Sequence, residues 1–301
     1  MVMATFGQMT DEVIRKLAGF TLRQDRQTHL TSAITATATT ISVASAQNIS
    51  TGIIQIDDEL IYVDSFDRTN GTITVPPYGR GYQGSVASSH TTGSKVVIAP
   101  SFPVVDVKNA INETILGVGD KLYAIGTHTF SYSTSKLTYA LPAEADEVLQ
   151  VSYETTGPSK EWVPVRGWRL DKNANSTAFT SGKSITLTTG VEPGRTVQVV
   201  YSYEPLEMDL DDDEFDVVTG LPASCKDVIV LGAAWKMSSF IDPGRLTFGS
   251  AEADQQSQIA ARAYGAGTNA SKYLLGLYEK RLNEEIVKLQ NRFPIRVHFT
   301  N

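Results

Sequence analysis

Ile54-Gln55-Ile56-Asp57-Asp58-Glu59-Leu60-Ile61-Tyr62-Val63-Asp64 reads as two short Ile/Val-rich strands separated by turn residues. Downstream come Gly79-Arg80-Gly81-Tyr82-Gln83-Gly84-Ser85, then His90 and Gly93. The glycines spell the G-x-G-x-x-G fingerprint. That fingerprint binds a pyrophosphate only after a parallel strand and at the start of a helix. Here Pro76-Pro77 precede it, and Ser85 to Lys95 carries no helical period of apolar residues. The stretch therefore reads as a tight loop between antiparallel strands, with no nucleotide to bind.

Outward from this point the pattern stays β. Ile41-Ser42-Val43, Ile73-Thr74-Val75 and Val96 to Ile98 are further short strands, and Asn70-Gly71 is the strongest hairpin signal in the chain. On the N-terminal side, Thr10 is expected to cap a short helix bearing Val13, Ile14 and Leu17, closed by Gly19. On the C-terminal side, Pro103 opens a helix whose stripe is Val107, Ile111, Ile115 (or Thr114), Val118 and Leu122, weakened by Gly117 and Gly119 and ended by Gly126. Strands are expected again at 129–132, 137–141, 147–153, 162–169, 184–188 and 196–203. An acidic run leads into an apolar helix over about 221–241, stopped by Asp242-Pro243-Gly244. Two more helices follow, over 251–264 and 271–292. Ser271 is the expected cap of the second, and Glu279, Arg281, Glu284, Glu285 and Lys288 its solvated face.

The expected fold class is α+β: a helical core (one helix plus three C-terminal helices), two inserted antiparallel β modules and an extended C-terminal tail. The expected divisions are 1–27, an N-terminal helical segment; 28–100, a small all-β module; 101–126, a core helix; and 127–206, a second β module. An acidic linker over 207–220, a helical region over 221–293 and an extended docking tail over 294–301 complete the chain.

Composition narrows the function. At 301 residues, 41% hydrophobic and 20% charged, the chain is that of a folded protein with more than one core. The net charge of −7 and the lack of any basic run argue against tight, charge-driven nucleic-acid binding. No apolar run reaches the ~20 residues of a membrane span, and the N-terminus does not read as a secretion signal. Cys225 is the single cysteine, which excludes a disulfide within the chain and fits synthesis in a cytoplasm.

Little in the chain points to chemistry. Asp209, Asp211, Asp212, Asp213 and Glu214 suggest a calcium loop, but the sixth and twelfth positions counted from Asp209 hold Glu214 and Gly220, where an EF-hand needs Gly and Glu. A solvated acidic turn, or a patch facing a basic partner or a lumen, is the better reading. His29, His90, His128 and His298 are isolated in sequence, without a second ligand at metal spacing. Cys225 reads as a small buried hydrophobe. Trp162 and Trp168 flank Val163 to Gly167 and suggest either an aromatic carbohydrate or base platform or core-filling aromatics. No hydrolase, P-loop or zinc-protease motif occurs. No catalytic residue, cofactor or metal is expected, and the chain is not expected to be an enzyme.

Two stretches carry a resemblance. Ile54 to Asp64, with Arg80-Gly81-Tyr82-Gln83-Gly84-Ser85, Ala87-Ser88-Ser89-His90 and Gly93, resembles a small β module that recurs in structural proteins of tailed bacteriophages. Leu221-Pro222-Ala223-Ser224-Cys225-Lys226-Asp227, Asn269-Ala270-Ser271-Lys272-Tyr273 and the terminal Arg292 to Phe299 resemble the head-to-tail adaptor (connector) proteins of long-tailed phages infecting actinobacteria. The resemblance implies a homo-oligomeric ring, commonly of twelve copies, at the neck of the virion between the portal and a tail-side neck protein. Double-stranded DNA would pass through its lumen without tight binding. It also implies that the C-terminal helix and tail reach the portal, with Phe293, Ile295, Arg296, Val297, His298 and Phe299 as candidate docking residues. The alternative is another neck or minor tail protein, either a tail terminator or a carbohydrate-binding tail component.

Overall fold

The computed structural model describes residues 4–20, 25–119, 121–156, 160–188, 191–238 and 266–293. It is an α+β chain with antiparallel sheets. Two compact units are formed, one of Gly7–Glu113 and Asp227–Lys280 (the first unit), the other of Met1–Phe6, Thr114–Lys226 and Arg281–Asn301 (the second).

In the first unit, strands β1 (Arg26–His29), β2 (Thr40–Ser42), β3 (Gly52–Ile56), β4 (Glu59–Val63), β5 (Ser65–Asp67), β6 (Thr72–Thr74) and β7 (Lys95–Ile98) make two sheets, ordered β1-β7-β3-β4 and β2-β6-β5. The β3–β4 hairpin pairs Gly52 with Val63 through to Ile56 with Glu59, leaving Asp57-Asp58 as the turn. Asp57 takes a φ of 51°, a left-handed conformation that Asp tolerates better than most residues. The Asn70-Gly71 signal falls in the β5–β6 connection, where Gly71 has a φ of 65° and Asp67 Oδ1 accepts the amides of Thr69 and Asn70. Ile41, Ile54, Ile56, Ile61, Ile73 and Val96 are completely buried together, so the two sheets enclose one core. Gln55 is also buried; its Oε1 accepts the Val104 amide, one of the first-turn donors that a helix leaves unpaired.

Helix α1 (Phe6–Ala18) starts four residues before Thr10, which lies inside it and is buried; of the expected stripe, Val13 and Leu17 are buried and Ile14 only partly so. Helix α2 (Val104–Gly117) is shorter than the expected 101–126. Gly117 and Gly119 stop it, as two poor helix formers in one turn would. Val118 and Leu122 are still buried, and the chain enters a strand at Ala124.

The second unit contains β8 (Ala124–Ser131), β9 (Thr138–Ala140), β10 (Glu147–Glu154), β11 (Trp162–Pro164), β12 (Trp168–Asp171), β13 (Ser184–Leu187) and β14 (Thr196–Tyr203). They form sheets ordered β11-β10-β14-β8 and β12-β13-β9 around a core that includes Val151, Ile185, Leu187, Val197 and Val199. The expected single strand 162–169 is two strands in different sheets, because Val165 to Gly167 turns the chain between them. The Tyr201 ring covers Gly126, leaving no space for a Cβ there, and its hydroxyl donates to Glu144 Oε1 at 2.9 Å. Burial, and then that hydrogen bond, push the Tyr201 phenol up to about 12.

The remaining helices are α3 (Phe215–Thr219), α4 (Lys226–Met237) and α5 (Ala266–Arg292). A short 3-10 turn, Ala223–Cys225, leads into α4. The expected apolar helix 221–241 is thus α4, buried along Val228 to Val230 and Gly232 to Ala234. Ser271 lies within α5, which already includes Ala266, so it is not a cap. The expected helix 251–264 and stop 242–244 lie outside the described residues. Within the first unit, Lys236 Nζ of α4 pairs with Glu113 of α2 at 3.2 Å, and Trp235 stacks on Tyr278 of α5 with ring centroids 6.0 Å apart.

Candidate functional site

The densest polar constellation of the described residues lies in the β module, on the residues that carry the motif. Glu59 opens β4, where its side chain has no solvent exposure. Its carboxylate accepts Arg80 Nε at 2.7 Å and Arg80 Nη2 at 2.8 Å, the amides of Gly81 at 3.0 Å and Ser88 at 3.1 Å, and His90 Nε2 at 2.9 Å. Arg80 then spends its other three N–H groups on the carbonyls of Thr35 (2.6 Å), Ala38 (3.1 Å) and Ser88 (2.7 Å). All five guanidinium donors are used in one planar, bidentate-plus-backbone arrangement. His90 Nδ1 meets Asp57 Oδ2 at 2.7 Å, at the rim where Asp57 is 58% exposed.

The local backbone explains how the loop delivers these groups. Gly81 is left-handed (φ 59°, ψ 38°), and a Cβ there would lie 2.9 Å from the Ser85 carbonyl. Gly79 is packed against Pro76, Val75 and the Tyr62 carbonyl, each 2.8 Å from where a Cβ would be. Tyr62 N donates to Gly79 O, and Leu60 N to Ser85 Oγ, so the loop runs along the free edge of β4. It connects β6 and β7, which belong to different sheets, so the expected tight loop between antiparallel strands is a loop between strands that do not pair with each other. Burial raises the Glu59 carboxyl, but the hydrogen bonds from Arg80, then His90, then the Gly81 and Ser88 amides outweigh it. The net effect holds Glu59 below the ordinary carboxylate value.

His90, isolated in sequence, is therefore placed between two carboxylates. Ser88 Oγ also lies 3.3 Å from His90 Nε2, so Ser88, His90 and Asp57 line up in the order of a hydrolytic triad. The arrangement does not work as one. A general base must offer Nε2 as an acceptor to the serine proton. Here Nε2 faces Glu59 Oε2 at 2.9 Å, and an ionised carboxylate can only accept, so Nε2 donates. The four side chains tie strand β4, its turn and three loop segments together.

A second buried carboxylate lies in the second unit. Glu285, expected on the solvated face of the last helix, is buried: Ser224 Oγ donates to it at 2.8 Å, Lys288 Nζ at 2.6 Å and Arg281 Nη2 at 3.1 Å. Burial works to raise its carboxyl, but the Lys288 and Ser224 hydrogen bonds, together with the charges of Lys288 and Arg281, hold it below the ordinary carboxylate value. Beside it is a cleft of about 150 Å³ walled by Leu122, Tyr123, Leu221, Cys225 and Leu289, with Arg292 at its margin. Burial, then the charge of Glu285, push the Cys225 thiol up to about 11, which opposes thiolate chemistry and agrees with the buried-hydrophobe reading.

The other sequence candidates fall as follows. Asp209, Asp211, Asp212 and Glu214 are exposed, while Asp213 Oδ2 accepts the amides of Asp209 (2.8 Å) and Leu210 (2.9 Å). The stretch is no plain linker. Glu214 bridges to Thr5, Phe6 N donates to the Asp213 carbonyl and Phe215 N to the Ala4 carbonyl, so the acidic turn anchors the start of the described chain. Among the described residues no group of His, Cys, Asp and Glu is arranged to hold a metal ion. Trp168 packs against the second core while Trp162 is 43% exposed on β11, so the pair does not form one strand's aromatic platform. Phe293 follows α5, its amide bonded to the Leu289 carbonyl; Ile295, Arg296, Val297, His298 and Phe299 lie outside the described residues.

Sequence reasoning missed the Glu59–Arg80–His90–Asp57 cluster. One signal was present: a glutamate at the head of an apolar strand needs a cationic partner if that strand is buried. The chain matches no family model, and comparison with curated proteins yields no match.

Proposed function

We propose that this chain is a head-to-tail adaptor of a tailed bacteriophage, a ring at the virion neck between the portal and a tail-side neck protein. The observation that carries this reading is the fate of the motif residues. Glu59, Arg80, Gly81, Ser88 and His90 are among the residues by which the β module resembles phage structural proteins, and their polar groups are spent on holding that module together. A module that uses its charges internally suits a part that acts by assembly. Helices α2, α4 and α5 would supply the helical core of such a subunit. The Lys236–Glu113 pair and the Trp235–Tyr278 stack support contacts of α4 with each of the other two. The exposed Asp209, Asp211, Asp212 and Glu214 would face either the lumen or a basic neighbour, with Asp213 shaping the turn.

A ring of such subunits repeats a net charge of −7 in every copy and repels DNA phosphates, so duplex DNA would slide through without sticking. Duplex binding by the purified protein should be weaker than about micromolar at moderate salt; sub-micromolar affinity with a steep salt dependence would contradict an acidic passage. The decisive experiment pairs electron microscopy of virions with truncation after Arg292. Density for the chain at the neck, and a truncated chain that keeps its circular dichroism spectrum but no longer docks to the portal, are the expected results. Density elsewhere, or unchanged docking, overturns the proposal.

A further inference from the structure

The cleft beside Glu285 lies wholly within the second unit. Its walls, Leu122, Tyr123, Leu221 and Leu289, are mainly apolar, and the exposed cations Lys288 and Arg292 stand at its mouth. An apolar recess of about 150 Å³ admits a group the size of benzene, so one leucine side chain suits this one. The charged groups that line it are two cations and the single carboxylate Glu285, which leaves the mouth net positive.

The same unit presents a projection that matches this recess. Leu210 is 60% exposed at the head of the acidic turn, between Asp209 and Asp211-Asp212, and does not wall the cleft of its own chain. A single exposed leucine is ordinary. This one is held in place: its carbonyl accepts the Asp213 amide at 3.0 Å, and Asp213 Oδ2 accepts its own amide at 2.9 Å. A side chain presented on a fixed turn loses little freedom when it is buried against a partner. The charges beside it are opposite in sign to those at the mouth of the cleft. We propose that Leu210 of one copy enters the cleft of a second copy, with Asp209 and Asp212 set against Lys288 and Arg292. Projection and cleft are different surfaces of one chain, so the contact is head-to-tail; it repeats from copy to copy and makes a ring when the rotation closes. The contact deepens the adaptor reading, rests on it for ring closure, and assigns the acidic turn to a basic neighbour rather than to the lumen.

Sedimentation velocity of the full chain at low salt tests this. The wild type is expected to associate as its concentration rises, and to dissociate as added salt screens the charges at the mouth. Leu210→Asp places a carboxylate where the recess is apolar, and Arg292→Glu sets like charges against each other. Each should weaken self-association by about tenfold or more. Both positions are exposed, so the circular dichroism spectra should be unchanged. Mixing the two variants restores one contact, the Leu210 of the Arg292→Glu chain in the intact cleft of the Leu210→Asp chain. The mixture should therefore give a one-to-one pair that grows no further. A wild type still monomeric at about 100 μM overturns the proposal. So does undiminished association of either variant, or a mixture that forms no pair. Association kept in Leu210→Asp but lost on removing residues 294–301 overturns the turn as the occupant. None of these results bears on the location of the protein in virions, so failure here is distinct from failure of the adaptor reading.

Discussion

Replacing Arg80 by methionine is expected to destabilise the β module by about 3–5 kcal/mol, the cost of leaving a buried charge without its partner. Methionine retains much of the side-chain volume but leaves Glu59 with no solvent and no guanidinium, and strips hydrogen bonds from the Thr35, Ala38 and Ser88 carbonyls. Amide exchange of β4 and urea denaturation both read the loss. A change below about 1 kcal/mol, the range of an exposed pair, would show that the cluster is superficial. Pairing the change with Glu59→Gln should recover part of the stability, because the remaining amide is neutral and less costly to bury than an unpaired carboxylate.

The same cluster sets an acid limit. Glu59 is held below its ordinary value in the folded chain, so its contribution to stability is complete above the unfolded carboxylate range. That contribution is lost as pH falls through the lower, folded value. The Arg80→Met chain should therefore have a flatter stability–pH profile in that acidic window than the wild type. An identical slope would mean that the Glu59–Arg80 pair is not what acid disrupts.

Gly220→Ala is expected to cost the second unit about 2–4 kcal/mol, as the sum of two separate terms. Gly220 follows α3 with a φ of 70°, a left-handed conformation that costs an L residue about 1 kcal/mol or more. A Cβ would also run into the Tyr203 hydroxyl and the Ala124 side chain, both held by the β8–β14 pairing. Overpacking of that kind costs about 1–3 kcal/mol. Gly182→Ala separates the terms: its φ is 67°, almost the same, but nothing lies within 4 Å of where its Cβ would be. The Gly182 variant should lose only the conformational term. Equal losses at the two positions, measured by thermal unfolding, would mean that the contact with Tyr203 contributes nothing.

Local periodicity was a good guide wherever one element satisfied itself. The β3–β4 hairpin, the Asn70-Gly71 connection, the β14 alternation and the nearly all-round apolar middle of α4 follow from residues a few positions apart. It failed where a competing signal lay just beyond an element's end. Val118 and Leu122 prolong the spacing of α2, yet Gly117 and Gly119 end the helix, and Ala124 to His128 pair with β14. Trp162 to Arg169 reads as one strand, but its two ends serve separate sheets. Glu285 looked solvated because nothing near it in sequence shows that Ser224, 61 residues earlier, faces it.

By itself the sequence determined the α+β class, the positions of most strands, and the loop conformation of Gly79 to Gly84. All of these depend on side-chain period and backbone preference within a few residues. The tertiary structure alone decided what Arg80 and His90 are for. Glu59 meets them across 21 and 31 residues of chain, and a buried carboxylate is tolerated only when folding brings its donors within hydrogen-bond reach.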